Sequence, residues 1–317
     1  MIRTEGLTKR YKNVIALDSL DLEIGEGEIF GFIGPNGAGK TTTIRILSGL
    51  LMPTKGKATV GDIDVIRRPR KARTLIGYMP EFFGVYQEMR VWEYLDFFGA
   101  AFRIGKRKRR ERIDYVLDLT GTEEMRDYFV DSLSTGMKQR VGIAKTLMHD
   151  PKVLFLDEPA SGLDPRARVE MRQLLTALKE LGKTVMVSSH ILPELANICD
   201  SIGIIQKAKL LIAGSMEDVM HRVHKNRVIE IEVRKHAEKA PKYLAEAFPE
   251  EKLKVIDQSE HLIRIEFDGL DDEIAEILKY LVKKGFPVLW FREVMTDLEQ
   301  VFLTVTEEMA AGARAEE

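Results

Sequence analysis

Two adjacent carboxylates, Asp157 and Glu158, close the apolar run Val153-Leu154-Phe155-Leu156. A buried strand that ends on two acids needs a partner for them, because unpaired charge is costly away from water. Upstream stands Gly34-Pro35-Asn36-Gly37-Ala38-Gly39-Lys40-Thr41, which fits the G-x-x-x-x-G-K-[ST] pattern of a phosphate-binding loop. Glycines let backbone wrap phosphates closely, and the loop N–H groups with a helix N-terminus supply positive potential. In such a loop the lysine reaches the β- and γ-phosphates and the hydroxyl binds Mg²⁺, roles that fall to Lys40 and Thr41. Asp157 suits the same ion, since hard cations take oxygen ligands. Glu158 then faces the γ-phosphate and can accept a proton from an attacking water. The other reading of the two acids is a cap on the next helix, which Pro159 and the turn Ser161-Gly162-Leu163-Asp164-Pro165 would allow.

These groups need strands and helices to hold them. Ile29-Phe30-Gly31-Phe32-Ile33 reads as a buried strand, and residues 40–50 as a helix with Ile44, Leu47 and Leu51 at helical spacing. The glycine loop therefore sits between strand and helix, the context a phosphate loop requires. Val153–Leu156 reads as a second buried parallel strand. Thr184-Val185-Met186-Val187-Ser188 is a third, followed by Ser189-His190. A helix over Val169–Leu181 joins the last two strands into a βαβ unit. Shorter strands, including Val14–Ile24 and Lys57–Val65, surround the first. Residues 82–150 read as a mostly helical insertion. In it Val91, Leu95, Phe98 and Phe102 mark the core face of a helix over 91–103, and Lys138–Leu147 forms another. Leu133-Ser134-Thr135-Gly136-Met137 precedes that second helix, so Ser134 and Gly136 stand at a helix N-terminus, which suits an anion. Ser134 as an ordinary N-cap is the competing reading of that segment.

The phosphate loop, Leu133–Met137, Val153–Glu158 and Ser188-Ser189-His190, in that order, resemble the ATP-binding subunit of an ABC transporter over roughly the first two-thirds of the chain. The resemblance implies a P-loop ABC-type ATPase domain with a β-subdomain, a RecA-like core and a helical insertion. It implies ATP binding by Gly34, Pro35, Asn36, Gly37, Ala38, Gly39, Lys40, Thr41 and Thr42, with Tyr11 stacking on adenine. It implies Mg²⁺ held by Thr41 and Asp157, hydrolysis with Glu158 as base, and His190 against the γ-phosphate. Ser134 and Gly136 would hold the γ-phosphate bound by an opposite subunit, which implies a head-to-tail dimer. The signature departs from the family pattern, with Thr135-Gly136 for the usual glycine pair and Met137 for glutamine. Glu81, in Ile76-Gly77-Tyr78-Met79-Pro80-Glu81, stands where the family has glutamine. A carboxylate offers only acceptors, so Glu81 is expected as a metal-side and catalytic group that adds charge beside the triphosphate.

The rest of the chain bounds the function. At 317 residues two domains are expected. Lys and Arg number 48 against 50 Asp and Glu, net charge −2, which speaks against a general nucleic-acid binder. The run Lys106-Arg107-Lys108-Arg109-Arg110 reads as a solvated helix face, with a patch for lipid headgroups or nucleic acid as the alternative. A single cysteine, Cys199, fits a reducing compartment. The start Met1-Ile2-Arg3-Thr4-Glu5 lacks the apolar stretch of a signal peptide, and no apolar run reaches the ~18 residues of a membrane span. Transport would thus need a separate integral-membrane permease, with this chain peripheral on the cytoplasmic face of the membrane.

The ATPase domain is expected over 1–217. After it, alternating Ile229, Ile231, Val233 and Ile263, Ile265, Phe267 read as half-buried strands. Ile274, Ile277, Leu278, Leu281 and Val282 make an amphipathic helix stopped by Gly285. With a helix at 241–248 and strands at 252–257 and 286–291 the order is βαββαβ, that of a small α+β ferredoxin-like C-terminal domain over 226–308. A last helix over Asp297–Met309 and a polar tail at 309–317 complete it. The region resembles the accessory C-terminal domain of bacterial ABC export ATPases, which implies an exporter. His221 and His224 lack a third ligand and read as exposed histidines. A soluble ABC-type ATPase acting on nucleic acid or the ribosome is the runner-up, disfavoured by the single P-loop and the lack of a long heptad run. A non-hydrolysing regulator is disfavoured by Glu158.

Overall fold

The computed structural model describes residues 1–82, 84, 88–191, 198–223, 227–249, 252–269 and 271–294. The chain folds as two compact units, Met1–Val219 and Met220–Glu317. Among the described residues no helix is long and apolar enough to cross a membrane.

The first unit opens with β1 (Ile2–Tyr11) and β2 (Val14–Ile24), which pair antiparallel. Then come β3 (Ile29–Ile33), α1 (Lys40–Leu47), β4 (Lys55–Val60), β5 (Ile63–Asp64), α2 (Pro69–Ala72) and β6 (Ile76–Met79). The stretch Lys57–Val65, expected as one strand, is a hairpin of β4 and β5. Gly61 takes a φ of 58° and turns the chain so that Val60 faces Ile63. Helix α1 stops at Leu47, short of the expected 50, because Gly49 takes a φ of 65° and Leu50 N donates to Arg45 O at 2.9 Å. That is the glycine-terminated helix end with its long-range closing bond.

The helical insertion holds α3 (Val91–Ala101), α4 (Lys106–Leu119) and α5 (Thr135–Leu147). Val91 and Leu95 are buried as expected. Phe102 is not core: it is 43% exposed, outside the helix, where Arg103 takes a φ of 60° and breaks the α3 pattern. Its ring stacks on His149 at 3.9 Å. The core resumes with β7 (Val153–Asp157), α6 (Pro165–Glu180), β8 (Thr184–Ser189), β9 (Ser201–Gln206), β10 (Lys209–Ser215) and α7 (Met216–Val223). Helix α6 begins a turn before the expected Val169. Asp164 accepts from Ala167 N at 2.8 Å as N-cap, and Pro165 takes the first helical position.

One sheet has the order β2-β1-β4-β5 and a second the order β10-β9-β3-β8-β7-β6. In the second, β3, β6, β7, β8 and β9 pair parallel, and only β10 runs against its neighbour. Every residue of β3, β7 and β8 is buried, as unbroken apolar runs in a doubly covered parallel sheet require. Leu17 and Leu20 of β2, Phe30 and Phe32 of β3 and Ile44 of α1 share one core.

The second unit contains β11 (Arg227–Val233), α8 (Ala240–Ala247), β12 (Leu253–Gln258), β13 (Leu262–Phe267), α9 (Asp271–Lys283) and β14 (Val288–Val294). Its sheet is antiparallel in the order β12-β13-β11-β14, the split βαβ arrangement of ferredoxin-like domains. Ile229, Ile231, Val233, Ile263, Ile265 and Phe267 form its core with Ile277 and Leu281. Glu230 breaks the expected alternation. It lies on the other sheet face yet is 4% exposed, covered by Arg264 (2.7 Å) and Arg292 (2.8 Å). Those guanidiniums, Arg292 foremost, hold its carboxyl below the usual range. The helix expected over Asp297–Met309, the tail at 309–317 and His224 lie outside the described residues; His221 falls on α7.

Candidate functional site

The phosphate loop, the two acids and His190 meet at the carboxyl end of the parallel sheet because β8 lies between β3 and β7. Its register sets Ser188 beside Phe32 on one side and Asp157 on the other. The residues just past these strand ends, Gly34–Gly39, Glu158 and His190, therefore share the crevice beyond the carboxyl ends of the strands. Open α/β sheets bind ligands there.

The loop is shaped by what it packs on as well as by what it could hold. A Cβ on Gly34 would stand 2.2 Å from Ile205 O, a backbone atom that cannot yield. Gly39 is the N-cap of α1 with a φ of 119°, and a Cβ there would meet Ala16 O at 2.6 Å. These glycines are needed to fit the loop between β2 and β9, a demand separate from phosphate contact. Pro35, Asn36 and Gly37 form the exposed crown, Ala38 is buried beneath it, and Thr42 is half-buried.

Lys40 folds back under the crown. Its Nζ donates to Gly34 O at 2.5 Å and Pro35 O at 3.3 Å, and pairs with Glu158 Oε1 at 3.1 Å. The Lys40 and Glu158 side chains are only 5% and 7% exposed. Glu158 Oε2 accepts from His190 Nδ1 at 2.8 Å. Glu158 Oε1 is buried with no well-directed hydrogen bond, its contact with Lys40 being the ion pair alone. The Glu158 backbone has a φ of 52°, a left-handed conformation that costs a non-glycine residue on the order of 1 kcal/mol or more and clusters at functional sites.

Asp157 is 1% exposed and accepts from Ser188 Oγ at 2.7 Å and Thr41 Oγ1 at 3.2 Å. Burial pushes its carboxyl above the ordinary range, while Ser188, Thr41 and Lys40 pull it back. A buried carboxylate and a hydroxyl side by side are oxygen donors of the kind Mg²⁺ takes, with water and phosphate completing its shell. Among the described residues no three His, Cys, Asp or Glu side chains gather as a metal cage. Asp157 and Thr41 thus supply two oxygen donors that would fit such an ion.

Ser188 carries more than its place before His190 suggested. Besides bonding Asp157 it accepts from Glu158 N at 3.0 Å, so one hydroxyl fixes both acids. Its sequence signals were a polar residue at the end of an apolar strand and its place in Ser188-Ser189-His190, neither of which assigned it a contact with the acids.

Other expected residues make no described hydrogen bond or ion pair with this cluster. Ser134 caps α5, accepting from Met137 N at 3.3 Å, and is exposed. A Cβ on Gly136 would meet Ala167 Cβ at 3.1 Å, so this glycine lets α5 approach α6. No described hydrogen bond joins either residue to the chain's own phosphate loop. Tyr11, 45% exposed at the end of β1, offers a ring face near Lys9 Nζ (4.9 Å). Glu81 is half-buried just past β6 and makes no hydrogen bond or ion pair among the described residues.

The ABC transporter family model matches residues 17–161. An ABC transporter ATP-binding protein of Synechocystis is 40% identical over 234 residues, which cover 69% of this chain. The chain spans 64% of the length of that relative. A daunorubicin resistance ATP-binding protein of Streptomyces coeruleorubidus is 33% identical over 321 residues, covering 100% of this chain and 98% of that protein. Among solved structures, a dimeric ATP-binding cassette in a post-hydrolysis state bound to ADP and Pi is similar with a TM-score of 0.62 at 26% identity, covering 68% of this chain and 99% of that one. With the phosphate loop, the paired acids and the histidine converging at the carboxyl end of the parallel sheet, the chain belongs to the ATP-binding subunits of ABC transporters.

Proposed function

We propose that the chain binds ATP with Mg²⁺, hydrolyses it to ADP and phosphate, and drives export through a separate membrane-spanning permease. The observation that carries the chemistry is the buried Glu158 carboxylate, held between Lys40 and His190. In this reading Lys40 leaves its own loop carbonyls and Glu158 to reach the phosphates. Thr41 and Asp157 would hold Mg²⁺, which supplies charge neutralisation on the phosphates when bound. Glu158, freed from Lys40, accepts the proton of the attacking water, and His190 keeps its carboxylate oriented. The loop from Gly34 to Thr42 cradles the phosphates and Tyr11 stacks on the base. A role for Glu81 on the metal side remains part of the proposal.

Export is supported by the drug-resistance name of the full-length relative. Dimerisation is supported by Ser134 and Gly136, which make no described hydrogen bond to the chain's own loop and suit, at a helix N-terminus, the γ-phosphate of a second subunit, identical or homologous. The dimeric state of the solved cassette points the same way. The chain would then sit peripherally on the cytoplasmic face of the membrane. A nucleic-acid partner is no part of this reading. The test has separate arms. Purified protein should release phosphate from ATP in Mg²⁺ and stop in EDTA. Affinity purification from detergent-solubilised native membranes should co-purify an integral-membrane protein. Phosphate release that EDTA leaves unchanged removes the metal assignment; a preparation that brings down ribosomes and no membrane protein removes the transport assignment.

A further inference from the structure

The basic run in the helical insertion is not absorbed by the ATPase chemistry. It forms the tip where α3 turns into α4. Arg103, Lys106, Arg107, Lys108 and Arg110 are exposed there. Neighbouring carboxylates take three other or adjacent cations. Arg107 pairs with Glu111 at 3.2 Å, Arg109 with Asp96 at 2.7 Å and Arg112 with Asp150 at 3.0 Å. Arg103, Lys106, Lys108 and Arg110 have no carboxylate partner among the described residues. The start of α4 adds to the excess, since Gly105 caps it without a side chain and its first turn holds no acid. On a chain of net charge −2 this is a local concentration of positive potential, not the overall balance.

The composition of the tip selects its partner. What accompanies the cations is the ring of Phe102, one face stacked on His149 and the residue still 43% exposed. Cations beside an exposed aromatic match an anionic bilayer surface, where the charges meet headgroups and the ring sits at the interface. We propose that the α3–α4 tip docks on anionic lipid headgroups and helps hold the subunit at the membrane. The choice of a bilayer rests on the peripheral-membrane reading above. The interaction itself requires no permease, so it is tested without one.

The experiment is sedimentation of the purified chain with vesicles of phosphatidylcholine, alone or with phosphatidylglycerol. Binding is expected only to the anionic vesicles and should fall steeply as salt is raised, because the Debye length shrinks from roughly 10 Å at 0.1 M to 3 Å at 1 M. Each basic side chain near an anionic surface contributes roughly fivefold to binding, so Lys106→Gln with Lys108→Gln and Arg110→Gln should weaken it about a hundredfold. Phosphate release in solution should be unchanged, since none of these residues belongs to the nucleotide site. Equal binding to both vesicle types, or equal binding by the variant, overturns the proposal. So does a variant that loses binding to polyuridylate while its vesicle binding stays as in the parent. A permease that co-purifies while vesicles fail to bind would sink this inference and leave the transporter reading intact.

Discussion

Replacing Glu158 with Gln separates binding from chemistry, and the structure gives the size of each effect. The parent Lys40 is held in the phosphate site by Gly34 O, Pro35 O and the Glu158 carboxylate at 3.1 Å. Breaking a buried ion pair from one side costs about 3–5 kcal/mol. Here the loss should fall at or below about 3 kcal/mol, because two carbonyls still accept from Lys40. That loss applies to the nucleotide-free state. When ATP draws Lys40 onto the phosphates, the variant has no ion pair to give up and no carboxylate beside the γ-phosphate. ATP should therefore bind about ten to a hundredfold more tightly, ~1.4–2.8 kcal/mol. Hydrolysis should slow by ~10²–10⁴, the worth of a general base. Urea denaturation with and without ATP measures the first effect, and single-turnover phosphate release the second. The variant should be the less stable protein without nucleotide and show the larger stabilisation by ATP. Turnover within tenfold of the parent would remove Glu158 as base; unchanged ATP affinity would show that the Lys40–Glu158 pair does not compete with nucleotide.

The Glu158→Gln protein should dimerise with ATP in sedimentation velocity, and Ser134→Arg added to it should abolish the dimer by filling the place of the partner's γ-phosphate. An undiminished dimer would end the composite-site model. Glu81→Gln should leave ATPase activity within about tenfold, ~1.4 kcal/mol in barrier, since Glu81 makes no hydrogen bond or ion pair among the described residues; a thousandfold loss would make it catalytic. Burial lowers the Lys145 amine from 10.5 to about 8, beside the Phe98 ring at 5.3 Å. Below about 8 both folded and unfolded states carry the proton and the burial cost is full; as pH rises toward 10.5 the folded state sheds it first and stability rises. Lys145→Met should thus stabilise at pH 7 by roughly 1–3 kcal/mol, and that gain should shrink when denaturation is repeated near pH 10; a gain independent of pH refutes the burial argument. Truncation after Val219, the boundary between the compact units, should leave a fragment that binds ATP but needs more protein for half-maximal activity, through loss of a second dimer contact; a folded dimer inactive at every concentration would place chemistry in the C-terminal unit.

Sequence alone determined whatever depends on neighbours along the chain. The phosphate loop is legible because its chemistry is contiguous from Gly34 to Thr41. The strands β3, β7 and β8 are legible because burial on both faces demands unbroken apolar runs. The βαββαβ order after residue 226 is legible from period-two alternation in strands such as Arg227–Val233 and helical spacing in Asp271–Lys283. Element ends were less legible. The α1 stop at Gly49 and the α6 start at Asp164 turn on cap geometry, which apolar periodicity does not record. What only the tertiary structure decided is which distant groups meet. Placing β8 between β3 and β7 makes Ser188 the hydroxyl that fixes both Asp157 and Glu158, 31 and 30 residues away in the chain. The same packing presses Ile205 O toward Gly34 and encloses Lys40 with Glu158 and His190. In the second unit, placing β11 between β13 and β14 covers Glu230 with an arginine from each neighbouring strand. Strand order and register are set by burial across the whole sheet, a non-local condition that no window of sequence contains.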